Sequence, residues 1–220
     1  MLIDGTWSLE TNEVKARLRL IRAIRKGHFV FNEGDHNDTY INKDVLYANP
    51  RHAARVAELL AEPFIGDGVE VIVAPAIGGV VLANRAAEYL MGKQVDGPPV
   101  YAVFADKSAE GFVIRRGYDE YVRGKRVLIL EDTTTTGRSI RRVFAAVESV
   151  NGKVIGLGLI WNRGGVSFDD LKVKINSLVN EKLPSWSAAD CPLCKSGVPI
   201  NVELGHGAEF LSEKSSSRAT

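Results

Sequence analysis

Val127-Leu128-Ile129-Leu130-Glu131-Asp132-Thr133-Thr134-Thr135-Thr136-Gly137-Arg138-Ser139 is the stretch from which the rest of the chain can be read. Its apolar start has the length of a buried strand. Two adjacent carboxylates end it, four threonines and a glycine follow, and Ile140, Val143, Phe144 and Val147 then recur at helical spacing. Unsatisfied N–H groups at a helix N-terminus favour an anion. Gly137 allows a tight turn and a close approach of backbone to phosphate, and threonine and serine hydroxyls add donors without bulk. Glu131 and Asp132 would repel a bare phosphate, but carboxylates accept bonds from sugar hydroxyls and help position a hydrated magnesium. Together these features describe a cradle for a phosphorylated sugar. The lysine of an ATP-type phosphate loop is absent. The plainer alternative, an acidic turn before a capped helix, leaves the four threonines unexplained.

Outward from this segment, apolar runs alternate with helical patterns. Toward the N-terminus, a helix is expected from Glu13 to Lys26 with Gly27 as its cap, then a short strand at Phe29-Val30-Phe31. A turn over Gly34–Asp38 leads to an extended Tyr40-Ile41. Asn49-Pro50 starts a helix with Ala53, Val56, Ala57 and Leu60 as its buried stripe. Strands are expected at Val69–Ala74, Val100–Phe104 and Val154–Trp161, with a helix from Gly78-Gly79 through Leu90. This alternation predicts an α/β fold, a parallel sheet flanked by helices on both faces, with binding loops at the C-terminal ends of the strands. Pro75–Gly79 and Glu131–Ser139 occupy such ends.

The 220 residues suffice for one domain, and no linker divides them. A net charge of +1 gives no support for a nucleic-acid or membrane-surface role. Apolar runs are too short to span a bilayer, and no basic-then-apolar leader is visible, so the cytoplasm is the expected location. The two cysteines form Cys191-Pro192-Leu193-Cys194. They supply half of a zinc site at best, with His206 the one histidine nearby. Two plain thiols in a C-terminal loop, a metal completed by other ligands or a second subunit, and a redox pair all stay open. No direct protein ligation of a metal is expected at the substrate site. Ser212–Thr220 is polar and is expected to fray.

Glu131–Ser139 resembles the phosphoribosyl-pyrophosphate (PRPP) motif of type I phosphoribosyltransferases: hydrophobic positions, two acids, a hydroxyl-rich stretch, Thr-Gly and a small residue. Phe29–Ile41, Asp44 through the Asn49-Pro50 helix, Pro75-Ala76-Ile77-Gly78-Gly79 and Ile160-Trp161-Asn162-Arg163 are similar to the orotate branch of that family. The Cys-Pro-Leu-Cys tail with Gly197-Val198-Pro199 resembles a bacterial subgroup of it. The resemblance spans residues 10–205.

The resemblance implies the type I phosphoribosyltransferase fold as a single domain over residues 1–220. Its core would cover about 50–165 and a small hood about 10–48 and 166–205. Glu131 and Asp132 would hold the ribose hydroxyls, Thr133, Thr134, Thr135, Thr136, Gly137, Arg138 and Ser139 would wrap the 5-phosphate, and Ala76, Ile77, Gly78 and Gly79 would face the pyrophosphate. Arg163, a planar fork suited to a carboxylate, would hold orotate with Thr135, Tyr40 and Ile41. By the same resemblance the cofactor would be Mg2+, the substrates PRPP and orotate, and the assembly a homodimer whose mobile loop, Asp106–Asp119, reaches across the interface. That loop departs from the family pattern. Lys107 matches, but Asp106 stands where an arginine is expected and Glu110 where a second lysine is. Arg115 and Arg116 would restore the charge, and with Lys107 and Asp132 they are the candidate catalytic groups; as the plainer alternative, they edge a solvated hairpin. Asn32 stands where some members carry a lysine. Two rivals remain: transfer to another base, and a PRPP-sensing regulator that does little chemistry.

Overall fold

The computed structural model describes residues 10–31, 34–94 and 97–216, with backbone alone at 215 and 216. In chain order the elements are α1 (Thr11–Leu20), β1 (Ile24–Val30), β2 (His36–Ile41), α2 (Lys43–Ala48), α3 (Pro50–Ala61), β3 (Val71–Pro75), α4 (Val80–Lys93), β4 (Tyr101–Ser108) and β5 (Gly111–Val113). There follow α5 (Tyr118–Val122), β6 (Arg126–Thr134), α6 (Arg138–Ser149), β7 (Lys153–Asn162), β8 (Lys174–Asn180), α7 (Pro192–Lys195) and α8 (Gly207–Ser216). They form two compact units: Leu46–Lys182 with the described residues up to Arg17, and Leu18–Val45 with the residues from Leu183 onward.

The first unit is built on a six-stranded sheet of order β5-β4-β3-β6-β7-β8, parallel except for the β4–β5 hairpin. Its central strands carry apolar runs, Val71–Ala74 in β3, Val127–Leu130 in β6 and Leu157–Trp161 in β7, because both faces are covered. On one face Val71, Val73, Val127, Ile129, Leu157 and Leu159 pack with Ile140, Val143 and Val147 of α6. On the other, α3 and α4 pack together and against β3, β4 and β7. Asn49 caps α3 by accepting from Arg51 N at 3.0 Å, with Pro50 in the first turn. β7 carries glycine where α3 and the turn after it come close. A Cβ on Gly156 would lie 2.2 Å from the Phe64 ring, and one on Gly158 would lie 2.5 Å from Leu130.

The second unit pairs β1 with β2 antiparallel, with a register shift between Lys26 and Phe29 that leaves Gly27 and His28 in a bulge. The C-terminal segment is stitched onto this hairpin. Trp186 exchanges two backbone bonds with His36, at 2.7 and 3.0 Å, and Asn201 N donates to His28 O at 2.7 Å.

Several expectations need correcting. The first helix stops at Leu20 instead of running to Lys26. Ala23 N donates to Leu18 O and Arg22 N to Arg19 O, a Schellman ending with Arg22 at φ 59°. Arginine occupies the left-handed position that usually betrays itself as glycine, and Gly27 lies in β1. The turn expected at Gly34–Asp38 is shorter, since β2 begins at His36. The core does not end near 165: β8 pairs parallel with β7 and belongs to the first unit. Ser212–Ser216 continue α8, while 217–220, like Asn32, lie outside the described residues. No helix among the described residues is long and apolar enough to cross a membrane.

Gly156→Ala should destabilise the chain by about 1–3 kcal/mol through overpacking against Phe64. Gly92→Ala, in α4 with nothing within 4 Å of the new methyl, should stabilise it by about 0.5–1 kcal/mol. Urea unfolding of the two variants measures both.

Candidate functional site

β6 delivers Glu131 and Asp132 to the C-terminal end of the sheet, where both are buried. Asp132 N donates to Glu131 Oε1 at 3.0 Å, and Thr133 N to Asp132 Oδ1 at 2.5 Å. The chain then turns. The buried Thr134 hydroxyl accepts from Gly137 N at 2.9 Å, and Gly137 adopts φ 72° as the residue before α6. A side chain there would meet Arg141 at 2.5 Å and the Phe168 ring at 2.8 Å. Arg141, which the sequence did not single out, braces the turn from outside. Its guanidinium binds both carboxylate oxygens of Asp170, at 2.9 and 3.0 Å, donates to Ser167 O and lies over Phe168. Thr135, Thr136, Arg138 and Ser139 are exposed around the mouth of the turn, Thr133 is half-buried beside them, and the hydroxyl of Thr136 accepts from Arg138 N. The segment from Glu131 to Ser139 thus runs from a buried strand end through a braced turn into the start of α6.

Arg163 joins it through the backbone. Thr134 O accepts from Arg163 N at 2.9 Å and from Gly164 N at 3.3 Å, and Arg163 Nε donates to Thr135 Oγ1 at 2.6 Å. Gly164 is required by this approach, since its Cβ would fall 1.6 Å from Thr135 O. The buried Asn162 side chain closes the same turn, donating to Val166 O and accepting from Val166 N.

At the end of β3, Ala76 N donates to Ala105 O, Gly79 N to Pro75 O and Val80 N to Ile77 O; the Ala76–Ile77 peptide is cis. Ala76, Ile77, Gly78 and Gly79 were expected to face the pyrophosphate, and Gly79 has a local role in the turn. Its N–H donates to Pro75 O, and its missing side chain serves packing: a Cβ would lie 2.7 Å from that of Ala74 and 3.1 Å from Leu130 O. Ile77 is 88% exposed, so the turn presents itself to solvent.

The Asp106–Asp119 segment is not an open loop. Asp106–Ser108 and Gly111–Val113 pair as a hairpin, and Tyr118 begins α5. Lys107 is exposed on β4. Asp106 engages Arg116 Nε at 3.1 Å and stands 4.0 Å from Arg115 Nε, while Arg116 lies over the Phe104 ring. Asp106, one of the residues that break the family pattern, thus bonds Arg116 and faces Arg115. Glu110 is at the hairpin tip.

Tyr40 and Ile41 are on β2 of the second unit, where the Tyr40 ring packs with Phe29 and Phe31 at centroid distances of 5.4 and 6.1 Å. That unit also shows what surrounds the cysteines, whose role the sequence left open. Cys191 and Cys194 meet His28 and His36, neither of which the sequence singled out. A Cys-x-x-Cys and, more than 150 residues earlier, two histidines eight positions apart were the only signal in the sequence. Burial lowers the pKa of His36 and raises that of Cys194, each reinforced by its neighbours His28 and Cys191. His206 is not in the group; it is exposed and its N–H donates to Val30 O.

The Phosphoribosyl transferase domain family matches residues 42–190. An orotate phosphoribosyltransferase from Caldanaerobacter subterraneus subsp. tengcongensis is 35% identical over 192 residues, covering 87% of this chain and 96% of that one. Among solved structures, Mycobacterium tuberculosis orotate phosphoribosyltransferase with Fe(III) dicitrate is similar at a TM-score of 0.59 and 21% identity, over 77% of this chain and 95% of that one. The same enzyme in complex with PRPP is similar at 0.53 and 22% identity, over 76% and 88%. The shared architecture is the mostly parallel sheet flanked by helices described above.

Thr134→Val leaves the buried Gly137 N–H without its acceptor and should cost about 1–3 kcal/mol. Thr135→Val, at the exposed mouth, should change stability by no more than about 0.5 kcal/mol. Denaturant midpoints of the two variants separate these effects.

Proposed function

The chain belongs to the phosphoribosyl transferase family, with orotate phosphoribosyltransferases among its relatives, and on that footing we propose that it transfers the phosphoribosyl group of PRPP to orotate. The products are orotidine 5-phosphate and pyrophosphate, in a step of pyrimidine nucleotide synthesis. The observation that carries this reading is the strand-to-helix turn in which a buried carboxylate pair runs directly into the hydroxyl-bearing cradle at α6. A phosphorylated ribose needs both parts, one for its hydroxyls and one for its phosphate.

In this reading Glu131 and Asp132 accept from the ribose hydroxyls, and the 5-phosphate is held by the hydroxyls and amides of Thr133–Ser139. Arg163, fixed by its bond to Thr135, pairs with the carboxylate of orotate, with Tyr40 and Ile41 contributing to the base site. The hard oxygens of Asp132, Glu131 and Thr133 suit magnesium through its water shell, and the ion would supply charge neutralisation at the departing pyrophosphate. As the C1–O bond breaks, the ribose gains oxocarbenium character and negative charge gathers on the leaving group. Preorganised cations there lower the barrier. Lys107 and the Arg115–Arg116 pair on the β4–β5 hairpin are assigned that role, with the turn at Ala76–Gly79 beside the pyrophosphate. Exclusion of water by the hairpin protects the activated sugar. We place the enzyme in the cytoplasm as a homodimer.

Incubation with PRPP, magnesium and an equimolar mixture of orotate, uracil, adenine, guanine, hypoxanthine and xanthine should give orotidine 5-phosphate as the one nucleotide found by mass spectrometry. A nucleotide of another base would keep the cradle and overturn the base site. PRPP binding without product would indicate a regulator. Arg163→Ala should raise the KM for orotate more than that for PRPP. Lys107→Ala or Arg116→Ala should lower kcat by roughly 10²–10³, the scale of losing one preorganised charge contact; near-normal turnover in both variants would remove the hairpin from the chemistry.

A further inference from the structure

Four soft or borderline donors of the second unit converge in its interior. His28 comes from the bulge of β1, His36 from the start of β2, and Cys191 and Cys194 flank the first turn of α7. His28, His36 and Cys191 are buried, Cys194 is half-buried, and one ligand atom of each lies within 4.8 Å of all the others. His28 Nε2 is 3.5 Å from Cys191 Sγ and 3.7 Å from Cys194 Sγ; His36 Nδ1 is 3.4 Å from Cys194 Sγ. A tetrahedron with Zn–N near 2.0–2.1 Å and Zn–S near 2.3 Å has N···S edges of about 3.5 Å, so these contacts already have its dimensions. The His28 Nε2 to His36 Nδ1 edge, at 2.7 Å, is shorter than the roughly 3.4 Å of such a tetrahedron, and the two rings would part slightly around an ion.

The surroundings prepare the ligands. His28 Nδ1 lies 2.8 Å from Val198 O. A carbonyl can only accept, so the proton resides on Nδ1 and the Nε2 lone pair points into the cluster. This is the outer bond that metal-binding histidines use to fix tautomer and ring orientation. The Cys-x-x-Cys turn is set by Lys195 N to Cys191 O, Gly197 N to Cys194 O and Val198 N to Leu193 O, with Gly197 at φ 70°. The unit also has few fully buried apolar side chains, chiefly Leu18, Ala23, Phe29 and Val30. Units this small commonly need a disulfide or a metal in addition to their core.

We propose that His28, His36, Cys191 and Cys194 form a structural zinc site that fastens the β1–β2 hairpin to the C-terminal segment. All four positions are filled by protein, so the coordination is closed and leaves no place for substrate. On binding, each thiol releases its proton to solvent, and the two thiolate charges balance the dipositive ion, which makes the buried site neutral. Two nitrogens and two sulfurs in a tetrahedral arrangement select zinc over magnesium or calcium. The site is separate from the cradle and stands whether or not orotate is the base.

The test uses the full chain, free of any histidine tag, purified under reducing conditions with zinc in the growth medium and then freed of loosely held metal. Elemental analysis should find one zinc per chain, falling to background in Cys191→Ser/Cys194→Ser. Because that variant can fail to fold, cobalt(II) is also exchanged into the wild-type chain, where intense tetrahedral ligand-field bands and thiolate charge-transfer bands are expected. Strong chelation should lower the unfolding temperature of the wild-type chain. Absence of zinc with both thiols reduced, a Cys191–Cys194 disulfide in the purified chain, zinc retained by the double serine variant, or octahedral cobalt bands would each overturn the proposal.

Discussion

Thr134 pairs with Asn162 in the parallel ladder of β6 and β7, and its carbonyl then accepts the N–H groups of Arg163 and Gly164. Both halves of the candidate site hang from this pairing. Upstream of it the ladder holds Glu131 beside Leu159; downstream, one chain turns into the cradle and the other presents Arg163 to Thr135. A slip of one residue would reverse which side chains face each side of the sheet. It would carry Gly156 and Gly158 away from Phe64 and Leu130, where no side chain fits. The packing of the sheet therefore fixes the geometry of the candidate site.

The cradle's rigidity comes from outside the motif as well as from within it. Gly137 supplies the left-handed turn, and Thr134 the internal acceptor. Arg141, Asp170 and Phe168 close the outer side, one turn into α6 and beyond β7. The β4–β5 hairpin is organised differently, with its cations held by Asp106 at the surface. In this arrangement the turn after β6 combines the buried Thr134–Gly137 bond with the exposed Arg141–Asp170 pair, while Arg115 and Arg116 rest on exposed contacts that cost little to rearrange.

Strands β3, β4, β6 and β7 and the strand-to-helix turn after β6 were legible because they rest on local signals: apolar runs of strand length, a cap at Asn49-Pro50, and an acidic-then-hydroxyl turn before a helix. What was not legible depends on contacts distant in sequence. β8 alternates weakly, with Lys174, Asn176 and Ser177 among its residues, and is a strand because β7 offers an edge. The end of α1 hides behind an arginine in a position that glycine usually marks. Arg141 looked like any helix-surface cation until Asp170 and Phe168 were placed beside it. His28 and His36 are separated from Cys191 and Cys194 by most of the chain, so no spacing rule joined them. Arg115 and Arg116 were expected either to restore the missing charge or to edge a solvated hairpin; their engagement with Asp106 is a contact that neither reading specified.

The central claim is that the turn from Glu131 to Ser139 receives a phosphorylated ribose. Backbone amide NMR of the full chain, titrated with PRPP and magnesium, tests it most directly. The largest shifts should fall on Thr133–Ser139, with Asp132 and the turn at Ala76–Gly79 next. Tight PRPP binding whose shifts leave Thr134–Arg138 unmoved would contradict the account.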